Sequence, residues 1–337
     1  MTGRIAVIGA GSWGTALAHL LAGKGFGVDL WVFEEELFAI LERRRENETF
    51  LPGLRLPGNI RFTRCLKEAL SGKSTAVCAV PSPFVREVFR KGRPHLEKCL
   101  LLISATKGLE EDSHLTPSQV LREVLGPASP IEVACLSGPS FAREVSRQIP
   151  TAVAAAGTSA QAARQVQVLF NSPFFRVYTN SDLLGVELGG AIKNVMAIAA
   201  GTADGLGFGH SSRAALITRG LAEMIRLGER LGAKARTFSG LAGLGDLVLT
   251  CTGELSRNRR VGLELGKGRS LAEILGEMKM VAEGVRTTKA LYELSREKEV
   301  EMPITEKIYE ILYRGKDPME AVKELMSRHP RSEQEEY

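Results

Sequence analysis

Seven short apolar runs alternate with amphipathic stretches over the first 180 residues, and then they stop. The runs are RIAVIGAG (4–11), GVDLWVF (27–33), STAVCAVP (74–81), CLLLISATKG (99–108), IEVACLSGP (131–139), TAVAAAG (151–157) and FFRVYTN (174–180). Several are apolar almost throughout, as strands covered on both faces must be, and strands that alternate with helices assemble into a parallel sheet. From about residue 181 a 3.6-residue periodicity takes over. In SSRAALITRGLAEMIRLGERLGA (211–233), for instance, Leu216, Leu221, Ile225 and Leu227 build one apolar side. A chain of 337 residues is about two domains long. The expectation is an α/β protein in two parts, a parallel sheet over 1–180 and an all-helical domain over 181–337. The boundary falls near TNSD (179–182), and the polar SRHPRSEQEEY (327–337) reads as a frayed tail.

The first run leads directly into Gly9-x-Gly11-x-x-Gly14 and then into TALAHLLAGKG (15–25), a helix with Leu17, Leu20 and Leu21 on its inward side. In a chain with 35 glycines the string alone means little. A strand before it and a helix after it make it a dinucleotide-binding turn. One glycine makes the turn, one admits a pyrophosphate close to the backbone and one packs helix on strand, with the helix dipole aimed at the anion. The N-terminal domain is therefore expected to be a Rossmann-type parallel sheet. Glu34 stands twenty residues after Gly14, at the end of the second run, with Phe33 before it to stack on adenine. A carboxylate there accepts from the ribose hydroxyls and repels a 2′-phosphate, and no basic residue follows until Arg43. The cofactor expected is NAD, with NADP used more weakly. Acids also favour helix N-termini, so Glu34 to Glu36 read as well as a solvated helix start.

Two further loops end strands on the same side. SATKGLE (104–110) carries Lys107, and SGPSFARE (137–144) makes a Gly-Pro turn before a helix. In an open α/β sheet, ligands bind outside the carboxyl ends of the strands, which favours a ligand-binding Lys107 over a surface one. The sharpest anomaly is GGAIKNVMAIAAGTADG (189–205), which sets Lys193 inside a run of small and apolar residues. An unpaired buried ammonium costs several kcal/mol, so Lys193 has a partner or a task. It shares a helix side with Gly189, Gly190, Met196, Ala197 and Ala200, a nearly bare surface that another segment or a ligand can approach. Asp246 and Thr250, four apart in SGLAGLGDLVLTCTGELSRNRR (239–260), are entered through Gly243 and Gly245, and Asp246 is the natural counter-charge. The pair serves either chemistry or a lock between two helices. Ser256, Arg257, Asn258, Arg259 and Arg260 join hydroxyl, guanidinium and amide at a helix start. That set suits a phosphate, although an isolated charge run is usually a solvated face. His210, in GFGHSS, reads as part of a glycine loop and peripheral.

The composition, 44% hydrophobic and 25% charged with a net charge of +5, is globular, and its bases are dispersed among acids, against nucleic-acid binding. Cys65, Cys78, Cys99, Cys135 and Cys251 are far apart and form no C-x-x-C pair. They read as reduced core thiols of a cytoplasmic protein, with no metal site. MTGRIAVIGAGSWG (1–14) lacks the features of a signal peptide. Charges interrupt each apolar stretch before spanning length, so membrane insertion is not expected.

IGAGSWGTALA, ATKGLE, LSGPSFAREV, ELGGAIKNVMAIAAG, ALITRGLAEM, GLAGLGDLVLTCT, SRNRRVG and VAEGVRTT occur in this order between residues 5 and 288. Together they resemble NAD(P)-dependent sn-glycerol-3-phosphate dehydrogenase of the bacterial type. The resemblance implies interconversion of glycerol 3-phosphate and dihydroxyacetone phosphate, supply of glycerol phosphate for phospholipid synthesis, and a homodimer. By position it implies cofactor contacts at Ser12, Trp13, Phe33, Lys107, Ala142, Arg257, Val281 and Glu283. It implies substrate contacts at Lys107, Gly138, Ser140, Lys193, Asp246, Ser256, Arg257 and Asn258, with Lys193 as proton acceptor. Thr250, beside Asp246, joins the substrate set from the reading of its spacing. The sequence departs from the bacterial pattern in two places. WVFEE lacks the arginine common near the end of the second strand, and GHSSRAAL replaces a turn that usually holds Asp or Asn. A β-hydroxyacid or 6-phosphogluconate-type dehydrogenase would share the domains and the helical lysine but need a carboxylate-binding arginine motif, which is absent. A catalytically idle NAD sensor would bind NADH without turnover.

Overall fold

A computed structural model describes residues 3–278, 282–330 and 332–333 of the chain. It forms two compact units, Met1–Glu110 with Leu115–Glu187, and Glu111–His114 with Leu188–Tyr337.

The first unit carries strands β1 (Arg4–Ile8), β2 (Gly27–Trp31), β3 (Glu46–Asn47), β4 (Leu51–Arg55), β5 (Ile60–Thr63), β6 (Thr75–Cys78), β7 (Leu101–Ser104), β8 (Glu132–Ser137), β9 (Thr151–Gly157) and β10 (Phe175–Asn180). Its helices are α1 (Ser12–Gly23), α2 (Glu35–Arg44), α3 (Leu66–Leu70), α4 (Val85–Gly92), α5 (Pro117–Leu125), α6 (Ala142–Ser146) and α7 (Ala160–Phe170). Eight strands form one sheet in the order β10-β9-β8-β7-β6-β1-β2-β5, and β3 and β4 pair separately as a hairpin. Successive residues of β1 point to opposite faces. Val7 joins a core with Leu17, Leu21, Leu30, Ile103 and Phe170, and Ile8 joins another with Cys78, Phe89, Leu102 and Val120. Two covered faces explain why these strands read as unbroken apolar runs.

All seven expected strands are present. The expected parallel sheet is present with one antiparallel pairing in it, β9 against β8, and β10 runs parallel to β9. The connection between β8 and β9 holds the five-residue helix α6. The edge strand β5 and the β3–β4 hairpin were not anticipated. Both are short, and both interleave exposed or charged residues with apolar ones.

The helices that follow are α8 (Leu183–Gly205), α9 (His210–Arg230), α10 (Ala235–Phe238), α11 (Asp246–Thr252), α12 (Arg257–Gly266), α13 (Leu271–Glu277), α14 (Glu283–Glu297), α15 (Pro303–Arg314) and α16 (Pro318–Met326). The division between the units falls within α8. By length and composition α8 could cross a membrane, contrary to the expectation from sequence, yet 89% of its apolar window is buried inside the protein, as befits a core helix. On α9 the buried stripe is Gly220, Glu223, Met224, Leu227 and Gly228, while Leu216, Leu221 and Ile225 are only half-buried. The glycines decide this: a Cβ at Gly220 would lie 2.8 Å from Met196 Sδ, and one at Gly228 2.2 Å from the Phe238 ring. His210 opens α9 behind an N-cap at Gly209, so it is helical and not part of a loop. Four of the five cysteines are buried thiols; Cys65 is exposed.

Candidate active site

In the first unit the glycine loop has the geometry its chemistry requires. Gly9 has φ +115°, and a Cβ there would lie 2.7 Å from Ala79 O; a Cβ on Gly14 would lie 1.9 Å from Gly9 O. Gly11 faces open space. Helix α1 begins at Ser12 with no side-chain cap and no acid in its first turn, and the Trp13 indole N–H is buried without an acceptor. An open, uncapped helix N-terminus with a spare donor fits a pyrophosphate. Phe33, 71% exposed at the exit of β2, offers a face to a planar base.

The loop is braced by a residue the sequence did not single out. Asn47, fully buried on β3, donates to Ala10 O at 2.8 Å and to Thr15 Oγ1 at 2.8 Å, and Thr15 Oγ1 donates on to Ala10 O. No local pattern marks it, because the partners lie more than thirty residues apart.

At the β2 exit, Glu34 is the N-cap of α2, and Glu35 and Glu36 occupy its first turn, all exposed. No basic residue follows Glu34 in the sequence until Arg43, but one stands near in space. β5 pairs with β2, Trp31 Nε1 donates to Arg64 O at 3.0 Å, and this brings Arg64 Nη1 to 3.0 Å from Glu35 Oε2. Lys107, just past β7, donates from Nζ to Gly138 O at 3.0 Å, and Ser140 Oγ donates to the same carbonyl at 3.0 Å. Gly138 has φ +145° and stands 2.9 Å, measured from a built Cβ, from Val153 Cα, so only glycine serves there. Lys107, Gly138 and Ser140 are thus brought together, with Ala142 opening α6.

In the second unit Lys193 is 6% exposed and Asp246 wholly buried. Lys193 Nζ donates to Asp246 Oδ1 at 2.5 Å and to Thr250 Oγ1 at 2.7 Å; Thr250 Oγ1 in turn donates to Asp246 O at 2.6 Å. A π-helical turn, Leu241–Gly245, delivers Asp246. It lies so close that a Cβ on Gly189 would approach Ala242 O to 2.5 Å. The bare helix side thus receives a chain segment. Next to Lys193, Asn194 Oδ1 accepts from Asn258 Nδ2 at 2.9 Å, and Asn258 Oδ1 accepts from Gly284 N at 2.9 Å. Ser256 is the N-cap of α12, its Oγ accepting from Arg259 N. Arg257 is the first helical residue and keeps exposed surface. Crowding by protein atoms depresses its pKa, and the Glu283 carboxylate opposes this. Val281 lies outside the described residues. Asn194 was also missed, although a buried amide beside Lys193 in an apolar run was a signal.

A dinucleotide-type glycine turn on an α/β sheet, together with a buried lysine held by a carboxylate on a helical unit, defines a nicotinamide-dependent dehydrogenase. Two family profiles match, NAD-dependent glycerol-3-phosphate dehydrogenase N-terminus over residues 4–163 and the C-terminus of the same enzyme over 182–323. The chain is 57% identical over 333 residues to glycerol-3-phosphate dehydrogenase [NAD(P)+] of Citrifermentans bemidjiense, covering 99% of both chains. It is 55% identical to the Geobacter sulfurreducens enzyme of that name, covering 99% of both. The crystal structure of glycerol-3-phosphate dehydrogenase from Coxiella burnetii superposes with a TM-score of 0.93 at 41% identity, covering 97% of this chain and 99% of that one. The chain belongs to the NAD-dependent glycerol-3-phosphate dehydrogenase family.

Proposed function

We propose that Lys193 is the acid–base group in hydride transfer between sn-glycerol 3-phosphate and dihydroxyacetone phosphate. The chain is an NAD(P)-dependent oxidoreductase for this pair. One observation carries the assignment of Lys193: its Nζ is buried and lies 2.5 Å from the carboxylate of Asp246. The nicotinamide, when bound, supplies the hydride chemistry. In the oxidative direction Lys193 takes the proton of the C2 hydroxyl as a neutral amine; in the reductive direction its ammonium returns a proton to the forming alkoxide. A positioned group of this kind contributes typically 10²–10⁴-fold. Asp246 and Thr250 fix where Nζ points. Lys107 adds a second cation for the substrate, with Gly138 and Ser140 beside it. Arg257, Asn258 and Ser256 form the phosphate-holding end of α12; the second N–H of the Asn258 amide is not used by the bond to Asn194.

For the cofactor, the reading assigns the pyrophosphate to Gly9, Gly11, Ser12, Trp13 and Gly14, and adenosine to Phe33 and Glu34. Ala142, Arg257, Val281 and Glu283 complete the set. NADH is preferred over NADPH. The reading also takes the enzyme as a cytoplasmic homodimer supplying glycerol phosphate for phospholipid synthesis; the half-buried apolar residues on α9 offer a surface for the second copy.

The test is Lys193→Ala, followed by NADH oxidation at 340 nm with dihydroxyacetone phosphate. Turnover falls at least a hundredfold while NADH binding stays within twofold. Lys193→Arg fails as well, because a guanidinium does not give up its proton near neutral pH. Wild-type-like turnover in Lys193→Ala would mean that the pair only locks α8 to α11.

A further inference from the structure

The region that joins Lys193 to Arg257 has a geometry of its own. Asn194 bonds to Asn258. A Cβ on Gly262 would lie 2.0 Å from Ile198 O, and one on Gly266 would lie 2.3 Å from Thr202 O. The three pairings, 194 with 258, 198 with 262 and 202 with 266, share one offset of 64. Helices α8 and α12 therefore run parallel, and Lys193 and Arg257 are the residues that immediately precede the bonded Asn194 and Asn258. The approach is reciprocal, since a Cβ on Gly201 would lie 2.0 Å from Arg259 O and one on Gly205 2.3 Å from Leu263 O. Both helices carry a Gly-x-x-x-Gly step, Gly201–Gly205 and Gly262–Gly266, and their backbones touch.

A charged clasp closes the seam. Asp204 takes Arg259 through Nε at 2.9 Å and Nη2 at 2.6 Å on one carboxylate oxygen, and Arg213 through Nη2 at 2.5 Å and Nε at 3.0 Å on the other. The carboxylate is nearly buried, so it couples α8, α9 and α12 at one point. Arg213 comes from GHSSRAAL, the segment where the sequence departs from the family pattern, and this gives that segment a task.

We infer that the α8–α12 seam and its Asp204–Arg259–Arg213 clasp set the length of substrate the enzyme accepts, by fixing the span from Lys193 to Arg257. This rests on Lys193 as the acid–base group and Arg257 as the phosphate-holding group. The rise along a helix is about 1.5 Å per residue, close to the length one carbon adds to a chain, so a small slide or parting of α8 and α12 changes the carbon count that fits. Asp204 is a positioning residue: it acts through Arg259 on the start of α12.

The test compares dihydroxyacetone phosphate with its homologue bearing one extra methylene between carbonyl and phosphate, in the full-length enzyme. Gly262→Ala must open the seam by about 1 Å to relieve the overlap, and Asp204→Asn removes the charge of the clasp without adding volume. Each lowers the ratio of kcat/KM for the natural ketone over the homologue at least fivefold. The loss lies mainly in a higher KM for the natural ketone, and NADH binding stays within twofold. Arg259→Lys keeps the pair with Asp204 and recovers most of the discrimination. An unchanged ratio in Asp204→Asn and Gly262→Ala, with the thermal transition and NADH binding intact, would overturn the inference. Failure of the underlying reading has a different signature, namely an active Lys193→Ala.

Discussion

The choice between NADH and NADPH is expected to turn on four side chains at the exit of β2. Glu34, Glu35 and Glu36 face solvent there, and Arg64 is held beside them at 3.0 Å from Glu35. All are exposed, so water-like screening applies. A unit charge pair about 4 Å apart is worth about 1 kcal/mol in water, and a 2′-phosphate carries nearly two charges. Repulsion from one carboxylate is therefore on the order of 2 kcal/mol, reduced by salt, by side-chain rotation and by Arg64. The expected result is roughly tenfold in favour of NADH in kcat/KM, or about 1.4 kcal/mol. Arg64 is what keeps NADPH usable, since a 2′-phosphate can draw its guanidinium away from Glu35. Arg64→Ala then lowers kcat/KM for NADPH by a further three- to tenfold and leaves NADH within twofold, while Glu34→Arg reverses the preference. Initial rates at 340 nm with dihydroxyacetone phosphate, at low and high salt, give both constants, and the gap narrows as salt rises. Equal use of the two cofactors by the wild type would refute the repulsion argument. An unchanged ratio in Arg64→Ala would refute the role of the arginine.

Two further outcomes are expected. Arg257→Ala weakens glycerol 3-phosphate far more than unphosphorylated glycerol, on the order of a hundredfold against less than threefold in kcat/KM, and equal losses would make Arg257 a surface or cofactor contact. Glu223 is buried on α9, where it accepts from the N–H groups of Ile304 and Thr305 and from Thr305 Oγ1, and burial pushes its pKa up to about 7. A carboxyl group raised in the folded state stabilises below its unfolded pKa near 4.5, and that contribution is lost as pH rises through 7, up to about 3 kcal/mol. Glu223→Gln should flatten the fall of the melting temperature between pH 5 and pH 8, and an unaltered slope would assign that fall to other groups.

Much of this was legible because burial leaves a mark on composition. Strands β1, β6, β7 and β8 sit inside the sheet with both faces covered, so each reads as an apolar run. β5 and the hairpin lie where one side meets water, and IRFT or LPGLR carries no such mark. Strand direction was not legible, since an apolar run such as TAVAAAG reads the same whichever way the strand points. In the site, Lys193 and Asp246 announced each other because a charge in an apolar run demands a counter-charge. Arg64 and Asn47 did not, since each reaches its partner through strand pairing between distant segments. Nothing in the one-dimensional pattern around Glu35 indicates that β5 lies next to β2.

The glycines around the Lys193–Asp246 pair make a separate point about what the chemistry demands of the backbone. A buried ion pair repays its desolvation only with short, well-aligned contacts, and removing one partner typically costs about 3–5 kcal/mol. To bring Asp246 within 2.5 Å of a lysine at the centre of α8, the turn before α11 must come nearer than ordinary side chains permit. Gly189 allows this on one side, against Ala242 O. Gly243 allows it on the other, where a Cβ would meet Phe238 O at 2.0 Å. The same logic holds along α12, where glycines at 262 and 266 let the helix that begins with Arg257 lie against α8. The small residues that gave this stretch its bland look in the sequence are therefore the means by which Lys193, its carboxylate and the start of α12 are held at fixed separations.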